Sequence, residues 1–173
     1  MAENSATDVL ICGAGAAGLA LAVDLARRGV AFQLIDKADG PFQGSRGKGI
    51  QPRTLEVFED LGIVDRVVAA GGIYPPTRRY GKDGTYTDIA ISEARTPTPA
   101  EPYLLPLMLP QFLTERIMRD RLAEFGRAPR FGCALAGFEQ DGDGVTALLD
   151  GANGGETIRA RYLVGTDGGR STV

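Results

Sequence analysis

A short apolar run, Asp8-Val9-Leu10-Ile11-Cys12, leads directly into Gly13-Ala14-Gly15-Ala16-Ala17-Gly18, and this junction limits the possible folds more than any other feature. Four consecutive apolar residues suit a strand of a parallel sheet that is covered on both faces. Leu19 to Arg28 follows, rich in Ala and Leu, and Arg27, Arg28 and Gly29 are signals that close a helix. Ala31 to Ile35 reads as a second buried strand, ending at Asp36. Strand, turn, helix and strand within about 30 residues make a βαβ unit with a right-handed crossover. In such a unit Gly13 permits the tight turn, Gly15 lets the backbone approach a pyrophosphate, and Gly18 lets helix and strand pack closely. The helix N-terminus offers unpaired N–H groups and a partial positive charge to phosphates. Asp36, 23 positions beyond Gly13, stands where a carboxylate accepts hydrogen bonds from ribose hydroxyls. The pattern serves FAD and NAD equally well. A glycine-rich turn in a non-binding α/β protein is the plainer alternative.

The remaining chain alternates loops with recognisable elements. Lys37 to Gln51 is a glycine-rich loop containing Ser45 and Arg46. Pro52 to Leu61 is expected to be helical, with Pro52 in the first turn, Leu55, Phe58 and Leu61 on one face, and Gly62 at the end. Ile63 to Ala70 adds a further helical turn or two. Residues 72–106 are proline-rich and are expected to form an excursion away from the nucleotide-binding sheet. Within it Arg78 to Tyr80 and Tyr86 to Ile91 are expected to pair across Lys82-Asp83-Gly84. Gln111 to Phe125 returns to helical spacing, with Leu113, Ile117, Leu122 and Phe125 on one side. Ala134 to Gln140 and Val145 to Leu149 flank the turn Asp141-Gly142-Asp143-Gly144, and Thr157 to Tyr162 makes a third strand. The chain ends through Thr166-Asp167-Gly168-Gly169-Arg170-Ser171.

Composition removes several function classes. The 173 residues suit one packed domain rather than two. A net charge of −3 gives no electrostatic grip on nucleic acid or on an acidic membrane surface. The uncharged stretch from Val9 to Val23 is too short and glycine-rich to span a bilayer, and Glu3 and Asp8 replace the basic cluster of a secretory signal. Two cysteines, Cys12 and Cys133, suit small buried thiols in apolar strands rather than a disulfide framework. The reading is a cytoplasmic protein. With no histidine, Ser-His-Asp hydrolysis, Cys-His nucleophilic catalysis and histidine-ligated metal sites are all excluded from this chain, and no metal is expected. Difficult chemistry would then come from an organic cofactor.

Taken singly, Arg46 reads as a solvated loop arginine, Gln111 as a helix-start residue after Pro110, and Asp167-Gly168 as a turn. Their order and spacing changes that reading. Asp8 to Lys37, Ser45-Arg46, Gln51-Pro52-Arg53-Thr54-Leu55-Glu56, Leu61-Gly62, Pro110-Gln111 and Gly165 to Ser171 together resemble the p-hydroxybenzoate hydroxylase family of class A flavoprotein monooxygenases. The resemblance is strongest to the branch acting on aromatic polyketides and phenols, and it covers nearly the whole chain. It implies an α/β, Rossmann-like fold of the glutathione-reductase type, with a parallel sheet plus a β-meander and incomplete at the C-terminus. Residues 1–173 would be the N-terminal part of the FAD-binding domain, with 72–106 reaching towards a substrate domain beyond the chain.

By the same resemblance Gly13, Gly15, Ala16, Ala17 and Gly18 hold the FAD pyrophosphate. Asp36 meets the adenosine ribose with Lys37 beside it, and Arg46 and Gln111 contact the cofactor. The backbone near Ala134 and Leu135 passes the adenine, and Asp167 and Gly168 take part in FAD and NADPH handling. The implied activity is hydroxylation of a small aromatic substrate with O2, through a C4a-hydroperoxyflavin, using NADPH or NADH. Baeyer–Villiger or epoxidising oxygen insertion is the related alternative, and a cofactor-binding module without turnover is the alternative of a different class. An NAD-dependent dehydrogenase fits less well, because Arg46 and the terminal Asp-Gly pair have no place in it. No catalytic residue is identified.

Overall fold

The apolar run before the glycine turn forms β1 (Ser5–Cys12), and α1 (Ala16–Arg27) and β2 (Phe32–Ile35) complete the expected βαβ unit. The computed structural model describes residues 5–90, 96–151 and 154–173, so Glu3 and Ile91 lie outside the described residues. In chain order there follow β3 (Gly49–Ile50), α2 (Pro52–Asp60), α3 (Val64–Ala70), β4 (Gly72–Ile73), β5 (Thr77–Tyr80), β6 (Tyr86–Ile89) and β7 (Leu107–Met108). Then come α4 (Gln111–Glu124), β8 (Cys133–Asp141), β9 (Gly144–Gly151), β10 (Gly154–Gly165) and a short 3-10 turn at Gly168–Arg170. The chain divides into two compact units, Met1–Gly44 with Thr114–Val173, and Ser45–Leu113. The segment 72–106 lies within the second.

The first unit is built on a five-stranded sheet of order β2-β1-β10-β9-β8. β1 is parallel to both neighbours, with Cys12 beside Ile35 of β2 and beside Gly165 of β10. β10, β9 and β8 pair antiparallel, which is the expected meander, and the two-residue Gly142-Asp143 turn joins β8 to β9. Side chains alternate between the faces of a strand. Leu10 and Cys12 therefore join Ile35, Cys133, Leu135, Ala147, Leu149, Ile158 and Ala160 in one buried cluster. Val9 and Ile11 point the other way. α1 buries Gly18, Leu19, Ala22 and Val23 and packs on β1 and β2. Both cysteines are buried and unpaired.

α4 differs from the expected helix in the face it buries. Thr114, Glu115, Met118 and Leu122 are inside, while Leu113, Ile117 and Phe125 are only half-buried. The stripe is turned because a carboxylate, Glu115, occupies a position that apolar spacing assigns to the outer face. At the meander surface Arg159 grips the Asp141 carboxylate with two hydrogen bonds, at 2.9 and 2.6 Å, and also donates to the Thr146 hydroxyl.

In the second unit β7 lies between β3 and β4, antiparallel to both. α2 starts with Pro52 in its first turn, and Leu55, Phe58 and Leu61 are all buried on the face predicted for them. Gly62, at φ +73°, ends it. β5 and β6 pair from Thr77–Ile89 to Tyr80–Tyr86, as the Asp83-Gly84 turn requires, and every residue of both strands is exposed.

Two measurements check this packing. Leu10 is fully buried, so Leu10→Ala should cost about 2–5 kcal/mol in denaturant unfolding. Leu148, 52% exposed, should lose less than about 0.5 kcal/mol on the same change. The Arg159 hydrogen bond and the Asp143 N–H, aided by the Arg159 charge, hold the Asp141 carboxyl down at about 2 against the opposing effect of desolvation. Whatever this pair adds to stability is therefore complete above about pH 4 and is lost as pH falls through about 2. Carboxyl NMR should find that low midpoint, and Arg159→Ala should return it towards about 4.

Candidate dinucleotide site

The glycine turn is held from three directions within the first unit. Gly13 N–H donates to the Ile35 carbonyl at 2.8 Å, and Ala14 N–H donates to Asp36 Oδ2 at 2.7 Å. From β10 the Thr166 N–H donates to the Cys12 carbonyl at 2.7 Å. The Thr166 hydroxyl lies 2.9 Å from the Cys12 carbonyl and 2.8 Å from that of Gly13. Its single proton is shared between the two oxygens. α1 then begins with Gly15 as an extended N-cap, with no side-chain cap and no acidic residue in its first turn. Its leading N–H groups have no intrahelical acceptor, and the positive end of the helix dipole emerges there.

The three motif glycines are needed for different reasons. Gly13 has φ +108°, and a Cβ on it would lie 2.5 Å from the Thr166 carbonyl. A side chain at Gly18 would collide with the Gly13 carbonyl. Both are demanded by the fold itself. Gly15 is not. Its backbone is extended, and a Cβ there would find only Glu115 Oε1 within 4 Å, at 3.9 Å. Packing therefore does not require glycine at this position, and its backbone stays open to close approach. This open cradle at an uncapped helix start fits the pyrophosphate of a dinucleotide.

Beside the turn, Cys12, Asp36, Lys37, Ala134, Leu135 and Asp167 contribute to a recess of about 60 Å³. That is room for part of a ligand only, since whole small-molecule sites run to roughly 300–1,000 Å³. A larger groove of about 360 Å³ lies at the other end of β1, around Thr7, Asp8, Arg159 and Arg161. There Arg159 is paired with Asp141 and Arg161 lies 3.6 Å from Asp8. The recess is the one that adjoins the glycine turn.

Asp36 uses both oxygens on the main chain, accepting from Ala14 N–H and, at 2.9 Å, from Ala38 N–H. A carboxylate has about four acceptor positions, so capacity for ribose hydroxyls remains. Asp167 accepts from the Ser171 hydroxyl and from Thr172 N–H, both at 2.6 Å. Burial works to raise its pKa, but these donors and the Lys37 charge outweigh it and keep the carboxyl below its usual value. The Cys12 thiol is pushed up to about 11, first by burial and then by the Asp167 and Asp36 charges. It is a neutral wall of the recess and not a nucleophile. Gly168 opens the 3-10 turn that follows.

Arg46 and Gln111 belong to the second unit, where they meet. Arg46 N–H donates to Gln111 Oε1 at 3.0 Å, and Gln111 N–H donates to the Ser45 hydroxyl at 3.2 Å. A loop and a helix start 65 residues apart are thus locked together. Thus the structure brings Gly13, Asp36, Lys37, Ala134, Leu135 and Asp167 to one recess, and separately joins Arg46 to Gln111.

Three contributors escaped the sequence reading. Cys12 lines the recess from the end of β1. Thr166 binds carbonyls about 150 residues earlier in the chain, and no local pattern announces that. Glu115, only 1% exposed, lies under Gly15, with Arg119 at 4.0 Å. Burial pushes the Arg119 guanidinium below its usual range, opposed by Glu115 and Asp120. A charged pair at i, i+4 within a weakly apolar helix was the one available signal for it.

Known proteins resemble this chain in sequence and fold. Residues 6–173 match the model of a family described as FAD binding domain. A flavin-dependent monooxygenase of Mycobacteroides abscessus is 43% identical over 169 residues, covering 95% of this chain and 36% of that protein. The 6-methylpretetramide 4-monooxygenase of Streptomyces rimosus is 39% identical over 171 residues, covering 99% and 30%. Among solved structures, the anhydrotetracycline hydroxylase of Streptomyces rimosus superposes with a TM-score of 0.76 at 32% identity, covering 97% and 33%. A ternary complex of aklavinone-11 hydroxylase with FAD and aklavinone gives 0.79 at 33% identity, covering 99% and 34%. The chain therefore spans about a third of the length of these relatives. On the match of residues 6–173 and on the glycine turn they contain, the chain belongs to the FAD-binding domain family.

Proposed function

We propose that this chain is the FAD-binding part of a flavin-dependent monooxygenase that hydroxylates an aromatic substrate of the phenol or polyketide type. The observation that carries the reading is the open cradle over Gly15, next to an uncapped helix start and a recess walled by Asp36 and Asp167. The names of its relatives, among them an aklavinone-11 hydroxylase in complex with FAD, support the substrate class. Bound FAD supplies oxygen activation and transfer from O2, with NADPH or NADH as the reductant.

The chain's own residues bind and orient the cofactor. The first-turn N–H groups of α1 and the Gly15 backbone receive the diphosphate, with Ala16, Ala17 and Gly18 forming that turn. Asp36 takes the ribose hydroxyls on its remaining lone pairs, with Lys37 beside it. Ala134 and Leu135 offer main-chain groups to the adenine, Asp167 borders the same recess, and Gly168 follows it in the chain. Arg46 and Gln111, already joined, are assigned to the cofactor as a pair. All these positions concern the adenosine and diphosphate half, so turnover is assigned to the parent protein and this chain acts as its binding module. We assign residues 72–106 to the face turned towards a substrate domain, a role supported by the exposed Tyr80, Tyr86 and Ile89 of the hairpin. Among the described residues no helix is long and apolar enough to cross a membrane, and a cytoplasmic location is part of the proposal.

Adding FAD to the purified protein, desalting, and recording the absorbance near 450 nm tests the binding role. Retained yellow flavin is expected, and its complete loss would refute the reading. Gly15→Ala should leave thermal stability unchanged, because its Cβ meets nothing closer than 3.9 Å. It should nevertheless weaken FAD at least about tenfold, or ~1.4 kcal/mol. In the parent protein, NAD(P)H oxidation that no phenolic or polyketide aromatic accelerates would refute the hydroxylase assignment.

A further inference from the structure

The Gly13–Ala14 peptide is gripped at both ends by residues from different strands. Its carbonyl accepts from the Thr166 hydroxyl, beyond β10, and its N–H donates to Asp36, beyond β2. A trans peptide points these two groups in opposite directions, so the two grips together fix the plane of the peptide. Gly13 itself cannot fix it. At φ +108° it occupies a region that glycine enters and leaves at little cost. The orientation of this peptide sets the direction in which Gly15 and the start of α1 present their N–H groups.

We infer that Thr166 is a positioning residue for the diphosphate, acting through the Gly13–Ala14 peptide as one jaw of a clamp whose other jaw is Asp36. The inference rests on the FAD-binding reading above and adds a residue to it. Asp36 thereby has a second task besides the ribose. Pre-set N–H groups lower the ordering cost of binding. Without the hydroxyl, the Gly13 carbonyl loses its side-chain donor and the turn samples other orientations.

The test compares Thr166→Val, which keeps the shape and loses the hydroxyl, with Thr166→Ser, which keeps the hydroxyl. FAD and ADP affinities of the purified protein are measured by flavin fluorescence and calorimetry. Thr166→Val should weaken both about tenfold, the loss of one hydrogen bond to a carbonyl left poorly satisfied. Thr166→Ser should stay within about twofold of the parent. Amide exchange at Ala14 should also quicken in the valine variant and not in the serine one. If Thr166→Val is not recovered folded, Thr166→Ala against Thr166→Ser asks the same question. Valine or alanine variants that bind FAD as tightly as serine overturn the clamp and leave the binding reading intact. Failure of the unsubstituted protein to bind either ligand overturns the binding reading itself.

Discussion

The parallel pairing of β1 with β10 brings Cys12 beside Gly165 across more than 150 residues of chain. Parallel strands end at the same edge of a sheet, so the loops that leave them emerge together. β2 is parallel to β1 on its other side, and three loops therefore start from one edge: the glycine turn, Asp36-Lys37, and Thr166-Asp167-Gly168. Ligands of open α/β sheets bind outside such carboxyl ends. Without the β1–β10 pairing the glycine turn would lack its Thr166 contacts and the recess would lack Asp167.

The apolar character of β1 makes that arrangement rigid. Leu10 and Ile11 are fully buried on opposite faces, one against the meander cluster and the other on the side of α1. A strand covered in this way cannot slip by one residue without exposing a whole face, so the position of Gly13 is set by the core behind it. Two carboxylates and a thiol then stand close together at the strand ends. Asp167 is held ionised by short hydrogen bonds, while burial and the same carboxylates hold Cys12 neutral. The recess combines two carboxylates and the Lys37 ammonium with a neutral thiol wall, which suits hydroxyl-bearing ligand groups rather than covalent chemistry.

Elements whose causes are local were legible in advance. The βαβ unit, the Pro52 helix with Leu55, Phe58 and Leu61 inside, the Asp83-Gly84 hairpin and the meander turn at Gly142-Asp143 each follow from neighbours a few residues apart. The burial of α4 was not legible, because Glu115 and Thr114 lie on its inner face and no spacing rule places a carboxylate there. The partnership of Arg46 with Gln111 was visible only as two separate residues. Their hydrogen bond depends on a loop and a helix start meeting after 65 residues.

The sequence by itself determined that a strand, a glycine turn and a helix follow one another, a pattern suited to a dinucleotide, because backbone conformation and apolar periodicity are local properties. Tertiary structure supplied the contacts behind the division of labour expected among the three glycines. Gly13 and Gly18 are compelled by contacts with Thr166 and with each other, whereas Gly15 is left free. It also decided that Thr166 and Asp36 hold opposite ends of one peptide. Hydrogen bonds between strand ends depend on register and sheet order, and those are settled only when the distant β10 pairs beside β1.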